Sequence, residues 1–514
     1  MSTSIASDSP TIRLHDDDNV CIVRNSVSAG ATLANPALTA LTARADISAG
    51  HKIATCAIKR GQPVLRYGQV IGFASSDIEP GAHVHLHNLA MGEISPDHAF
   101  CRDARPTRLV SQPAVFNGYR RADGRVGTRN YIAIVSSVNC SATAARHIAD
   151  GFRFSGELER YDNVDGVIAL THQGGCGLAD SGEGFELLKR TLQGYADHPN
   201  VAAVLFLGLG CEVMQVGGLQ RIEGLRDIKP VRSMTIQQTG GTRRTIERAT
   251  ALIRELLPEI DRAEREPVPA SELCVALQCG GSDSYSGISA NPALGHAVDR
   301  LVEHGGTAIL SETPEIYGAE HLLTRRAASP AVAEKLLERI RWWQEYTRRE
   351  GAQMNNNPSP GNKAGGITTI LEKSLGAVAK GGTTNLVEVY EYAERVRARG
   401  LVYMDTPGYD PVSATGQVAG GANLVCFTTG RGSAFGSKPA PSIKLATNSE
   451  LYQRQTEDMD INCGTVLTGE QSLADCGDDI FARMLAVASG EPSKSEAFGY
   501  GDNEFVPWQL GATM

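Results

Sequence analysis

Short β-branched runs separated by turns fill the first ninety residues: NVCIV, GHKIATCAI, GQPVLRYGQVIGFA and IEPGAHVHLHN. This alternation predicts a small all-β module over residues 11–90. From 91 to 116 the chain carries three prolines and scattered charges without a sustained period, which predicts a linker. Near Asn117 the pattern changes. Apolar runs such as YIAIVSSVNC, GVIALTHQGGCG, AAVLFLGLGCE, ELCVALQCGGSD, TAILSETPE, NLVEVY, GLVYMDTPG and NLVCFTTGRG end in Gly-, Cys- or Ser-containing turns. Longer amphipathic stretches follow them, among them TIERATALIRELL and AVAEKLLERIRWWQEYTRR, which read as helices. Apolar strands alternating with helices predict an α/β region with mostly parallel sheets covered on both faces. EREPVPASE, near 265–272, divides this region into two parts, 117–268 and 269–514.

Composition narrows the function classes. At roughly 100–200 residues per domain, 514 residues suffice for about three domains without a disulfide or metal scaffold. With 49 Lys+Arg against 58 Asp+Glu the net charge is −9, so no basic footprint for nucleic acid or an anionic membrane is expected. The longest apolar stretch, Val201 to Leu209, falls far short of the roughly 20 residues that span a bilayer. MSTSIASDSP shows no basic segment followed by an apolar one, and eleven irregularly spaced cysteines read as reduced thiols. A cytoplasmic protein is expected.

Four features bear on chemistry. In a strand, alternate side chains share a face, so HVHLHN would project His83, His85 and His87 to one side. Three imidazoles there suit a metal such as Fe, Zn, Mn or Ni, or else hydrogen-bond at a domain interface; His51, in the GHK turn, is a weaker addition. Cys140, Cys176, Cys211 and Cys279 each follow a predicted strand, where ligands of open α/β sheets bind; thiols there are either iron–sulfur or soft-metal ligands or small buried residues. The glycine-rich turns GGCG, GLGCE, CGGSD and PSPGNKAGG expose backbone N–H groups suited to a carboxylate, and no phosphate-loop or dinucleotide fingerprint accompanies them. Loop-borne polar residues complete the set: His172, Asp283, Ser284, Glu312, Glu315, Lys363, Arg431, Asp458 and Asp460.

These motifs together resemble the altronate/galactarate dehydratase family, sugar-acid hydro-lyases with an amino-terminal SAF-type β module. The resemblance runs from about residue 11 to the end, through GHKIA, RYGQVIG, HVHLHN, NGYRRADGRVGTRNYI, THQGGCG, GLGCE, LQCGGSDSYSGISANPALG, SETPEIYGAEHLLTRRA, NPSPGNKAGG, TTGRGS and MDINCG. HVHLHN, NCSATAARHIA and NPSPGNKAGGITTILEKSLGAVAKGGTTNLV bring the chain closer to the altronate branch.

The resemblance implies a divalent metal, Fe2+ first and Mn2+ next, which we expect on His83, His85 and His87 with Asp283 or Glu312 adding oxygen ligands. For the dehydration itself we expect His172, Lys363 and Glu312 as catalytic residues, and Arg431, Asn362 and Ser284 as contacts to a small anionic sugar acid. Dehydration requires removal of the proton beside the carboxylate, protonation of the departing hydroxyl, and stabilisation of the charge formed between these events. A lower-ranked alternative places an iron–sulfur cluster on Cys176, Cys211 and Cys279. A homo-oligomer, taken as a dimer, is expected. Galactarate, another sugar acid or a sulfonated hydroxy acid are alternative substrates, and a non-catalytic sugar-acid binder is the alternative of another class.

Overall fold

The computed structural model describes residues 9–35 and 38–511. Its amino-terminal part is all β, as the alternating pattern predicts. Strands Thr11–Ile12, Val20–Val23, Lys52–Ala54 and His83–Val84 form one antiparallel sheet, Pro63–Arg66, Gln69–Ala74 and Leu89–Ala90 a second, and Thr32–Asn35 pairs with Leu38–Thr42. One core of this module is its own, built on Cys21, Val23, Leu33 and Ile53. Its other apolar side, including Ile58, Val64, Ile71 and Val84, is continuous with the core of the carboxyl-terminal region, so the module is packed onto that region.

The chain from 91 to 114 is irregular, yet its backbone is pinned: Cys101 N–H donates to Thr324 C=O, Asp103 N–H to Arg325 C=O and Val110 N–H to Glu303 C=O. Val115–Arg120 then pairs antiparallel with Glu266–Pro269, the EPVP segment between the two α/β parts.

The first α/β sheet comprises β1 (Tyr131–Ser136), β2 (Gly166–Leu170), β3 (Val201–Gly208) and β4 (Val231–Thr235), ordered β2-β1-β3-β4 and parallel throughout. The second comprises β5 (Cys274–Cys279), β6 (Thr307–Leu310), β7 (Leu386–Tyr390), β8 (Gly400–Met404), β9 (Leu424–Thr429), β10 (Ser442–Ala446) and β11 (Ile461–Asn462), ordered β7-β8-β6-β5-β9-β10-β11, again parallel. Helices α1 (Asn139–Ser155) and α3 (Thr242–Ile260) cover one face of the first sheet. Helices α2 (Glu183–Asp197) and α5 (Asp410–Ala419) share a core between the two sheets, and α4 (Ala290–Glu303) and α6 (Leu473–Ala488) cover the far face of the second.

The elements follow from the residues. Strands β3, β6, β8 and β9 are buried at every position, as strands between helical layers must be. Strands β4 and β10 were not legible as apolar runs, because β4 sits at a sheet edge with a half-polar sequence and β10 carries the buried Lys444. After β6 and β8 the chain returns to the opposite side of β5 to form β9. The order in which strands are added therefore reverses at β5/β9, and the carboxyl ends on either side of such a point are where open α/β sheets hold ligands.

Candidate functional site

Strand β5 ends in CGGSDS, where Gly280 has to lack a side chain: a Cβ there would lie 2.2 Å from Asp410 Oδ2. Asp283 follows in the turn. Its carboxylate accepts from Ser286 N–H at 2.9 Å and from the hydroxyls of Ser286 and Thr447 and the amide of Asn448 at 3.0–3.2 Å. With its lone pairs taken, Asp283 ties β5 to the end of β10 and has little left for an ion, contrary to the metal role expected for it.

At the end of β6, Glu312 is fully buried and has φ +70°, a left-handed backbone that costs a side-chain-bearing residue about 1–3 kcal/mol and concentrates at functional sites. Its N–H donates to Thr406 Oγ1 at 2.9 Å. Glu312 Oε2 accepts from Lys380 Nζ at 3.1 Å, while Oε1 is buried without a partner. Lys380 Nζ also lies 2.8 Å from Cys279 Sγ, and Lys373 Nζ 2.8 Å from Glu315 Oε1. Burial and the charge of Glu315 push Glu312 up to about 8 and Asp410 up to about 7. Burial alone would lower Lys380, but Cys279 and Glu312 beside it hold the ammonium above its ordinary value. Burial pushes the Cys279 thiol up to about 12.

Cys279, Glu312 and Glu315 form the group among the described residues whose donor atoms all lie within 4.8 Å of one another. These buried side chains are close enough to share an ion. The Lys380 ammonium is bonded to two of the three, however, so the trio already has its cation.

The amino-terminal module contributes the histidines. HVHLHN does not continue as a strand beyond His83–Val84, because the Asn88 carboxamide accepts from His85 N–H and donates to His83 C=O, both at 2.9 Å, and curls the chain into a turn. The rings still gather: His51, His83, His85 and His87 pack with centroids 5.0–5.5 Å apart. Burial lowers His83 and His85 to about 4, leaving neutral imidazoles at pH 7. His83 Nε2 meets His51 Nδ1 at 3.0 Å and His85 Nε2 meets Lys363 C=O at 2.9 Å. Their Nδ1 atoms, and both nitrogens of exposed His87, have no hydrogen-bond partner among the described residues. A ring held through one nitrogen by a carbonyl or a second ring, with the other nitrogen free, is the arrangement of a supported metal ligand. The chemistry of this donor set fits a divalent ion, although its nitrogens are not gathered within 4.8 Å. His51 is the supporting ring.

The loop that meets these histidines is NPSPGNKAGG. Asn362 is spent on structure: its Oδ1 accepts from Ser359 N–H and its amide donates to Ser282 C=O, both at 2.9 Å. One amide hydrogen is left over for the substrate contact expected of it. The side chains of Lys363 and exposed Arg431, by contrast, have no hydrogen bond or ion pair among the described residues, and the Ser284 hydroxyl is buried without a partner.

His172 stands on the first sheet. Its Nε2 is bonded to Ser136 C=O at 3.0 Å, its Nδ1 accepts from Gly174 N–H at 3.1 Å, and burial lowers it to about 4. With both nitrogens engaged it shapes the THQGGCG turn, which does not suit the base role read for it. Cys176 and Cys211 also follow the first sheet, exposed, whereas Cys279 is buried at the second, so the three thiols named together in the sequence end on two different sheets.

Lys380, Lys373, Asp410, Lys52, Arg66 and Glu372 were not anticipated. Lys52 and Arg66 of the module bond Glu372 at 2.9 and 2.6 Å, all three buried; burial would raise Glu372, but the two cations hold it down to about 2. The available signal was ITTILEKSLGAVAKGG, an apolar run interrupted by charges, since charges carried into a core must find partners.

Three family models cover nearly the whole chain: the altronate/galactarate dehydratase SAF domain over 9–92, the second domain of D-galactarate dehydratase/altronate hydrolase over 118–261, and the D-galactarate/altronate dehydratase C-terminal region over 270–513. Among individual proteins, the altronate dehydratase of Bacillus subtilis is 35% identical over 506 residues, 98% of this chain and 99% of its own. The galactarate dehydratase (L-threo-forming) of Escherichia coli is 38% identical over 502 residues, 95% of each. The (2R)-sulfolactate sulfo-lyase subunit beta of Chromohalobacter salexigens is 35% identical over 399 residues, 77% of this chain and 97% of its own.

Proposed function

This chain belongs to the altronate/galactarate dehydratase family and is a sugar-acid hydro-lyase, and on that premise we propose that it dehydrates D-altronate to 2-dehydro-3-deoxy-D-gluconate at the β5/β9 crevice. Glu312 is the observation that carries the location. A carboxyl with proton affinity near 8, one oxygen unpartnered and a strained backbone matches an acid that keeps its proton at neutral pH until a departing hydroxyl takes it.

Asp410, with affinity near 7 and lying against Gly280, is the base that takes the proton from the carbon beside the carboxylate. Glu312 delivers a proton to the hydroxyl leaving the next carbon, so water departs and an enol forms, which ketonises to the 2-keto-3-deoxy acid. Lys380 compensates the charge left on Glu312. Lys363, Arg431 and the backbone N–H groups of the glycine turns hold the substrate carboxylate. His83, His85 and His87 would hold a divalent ion, Fe2+ or Mn2+, whose contribution is Lewis-acid stabilisation of charge developing at the carboxylate. The molecule works in the cytoplasm as a dimer.

The choice of altronate rests on the retained HVHLHN and NPSPGNKAGGITT segments. The test is anaerobic purification, loading with ferrous iron, and a panel of aldonates and aldarates assayed for 2-keto-3-deoxy acid. Turnover of altronate alone supports the reading. Turnover of galactarate or release of sulfite from sulfolactate moves the substrate, and binding without turnover of any acid overturns catalysis.

A further inference from the structure

The first α/β sheet has an open carboxyl edge that the dehydration chemistry above does not use. Strands β2, β1 and β3 are immediate neighbours, and each is followed by a turn bearing one free, exposed thiol: Cys176 after β2, Cys140 after β1 and Cys211 after β3. The turns are bound to each other through main chain. Asn139 N–H donates to Gly174 C=O and Met214 N–H to Gly175 C=O, both at 3.1 Å, so the segments that carry the three cysteines are joined to one another by main-chain hydrogen bonds.

Local structure presents rather than buries the sulfurs. Gly175 has φ +96°, and a Cβ there would stand 2.2 Å from Ser137 C=O, so only glycine lets the Cys176 turn close against the β1 end. Cys140 lies in the first turn of α1, a 17-residue helix whose N-cap, Val138, supplies no side-chain hydrogen bond, so its sulfur stands at the helix start beside the Asn139–Gly174 contact. Glu212 fastens the third turn, accepting from Ser137 Oγ and Gly210 N–H at 2.6 Å.

From this juxtaposition we propose that Cys140, Cys176 and Cys211 together hold an iron–sulfur cluster. Spacing selects the cofactor class. A single tetrahedral ion at about 2.3 Å from each sulfur draws its ligands to about 4 Å from one another, and these thiols are not a group gathered within 4.8 Å. A cluster of iron and sulfide holds its cysteine sulfurs farther apart than a single ion does. Binding replaces three S–H bonds by three Fe–S bonds and releases three protons, and it leaves one iron of a cubane without a cysteine. Cys279 takes no part, being bonded to Lys380 at the other sheet.

The full-length chain, purified without oxygen and reconstituted with iron and sulfide salts, is expected to be brown and to hold about four iron and four acid-labile sulfide per chain. Cys140→Ser, Cys176→Ser and Cys211→Ser are each expected to lose most of the labile sulfide and the visible absorption, with unchanged far-UV circular dichroism, while Cys279→Ser retains them. Absence of labile sulfide after reconstitution, tight zinc in its place, or sulfide undiminished in the triple serine variant would overturn the assignment.

Discussion

At Glu312 both backbone and side chain are held away from their preferences: φ is +70°, the carboxyl is wholly buried, and one oxygen has no partner. Glu312→Gln keeps the shape and removes the transferable proton, so kcat is expected to fall about 10²- to 10⁴-fold with the fold intact. The rate should rise as Asp410 ionises near 7 and fall as Glu312 loses its proton near 8, and the glutamine variant's residual activity should lack the alkaline limb. Stability has a definite sign too. Folding raises the proton affinity of Glu312, so its contribution is complete below the ordinary glutamate range and is lost as pH rises through about 8. Thermal scans between pH 5 and 8.5 should therefore show Tm falling less steeply in Glu312→Gln; an equal slope refutes the assignment. Arg431 is proposed for substrate binding instead. Removing one charge-assisted contact, worth about 1.5–3 kcal/mol, in Arg431→Ala should raise KM for altronate about 10- to 100-fold and change kcat less.

Among elements, docking of the β module onto the carboxyl-terminal region turns on Glu372, which meets Lys52 and Arg66 inside the core. Losing one partner of a buried ionic group leaves an uncompensated charge and costs about 3–5 kcal/mol. Glu372→Gln should lose about that much in urea unfolding, and the module should become the first target of limited proteolysis. A variant with wild-type stability would show that this contact does not hold the elements together. Gly366 serves the same junction: with φ +93° and Gly50 C=O 2.5 Å from where a Cβ would be, it lets the NPSPGNKAGG loop lie under the module. How legible all this was depended on range. Strands β1, β3, β5, β6 and β9 were readable because burial on both faces writes itself as a continuous apolar run. The Lys52–Glu372 pair was not, because the partners lie 320 positions apart and each alone looks like a surface charge. HVHLHN was read correctly as a gathering of rings and incorrectly as a strand, since the Asn88 turn depends on a side-chain hydrogen bond that periodicity does not register.

Across the molecule, two α/β units share one helical layer, and each ends in its own cluster of chemical groups: carboxyls, lysines and the module's histidines at the second sheet, thiols at the first. The net charge of −9 repels a sugar acid at long range, so attraction must come from local cations, and Lys363 and Arg431, unpaired among the described residues, are the ones proposed for it. This division makes metal content a test of the whole assembly. Chelation should abolish turnover and ferrous iron should restore it, because the histidines proposed as ligands are only partly buried or exposed and an ion there can exchange without refolding. The variant His83→Ala/His85→Ala/His87→Ala should lose that exchangeable iron and its turnover while keeping the labile sulfide assigned to Cys140, Cys176 and Cys211. If it keeps the exchangeable iron and its rate, the ion does not sit on the module. In that event the β module's role shrinks to covering the crevice, and the ligand search moves to the buried carboxylates around Lys380.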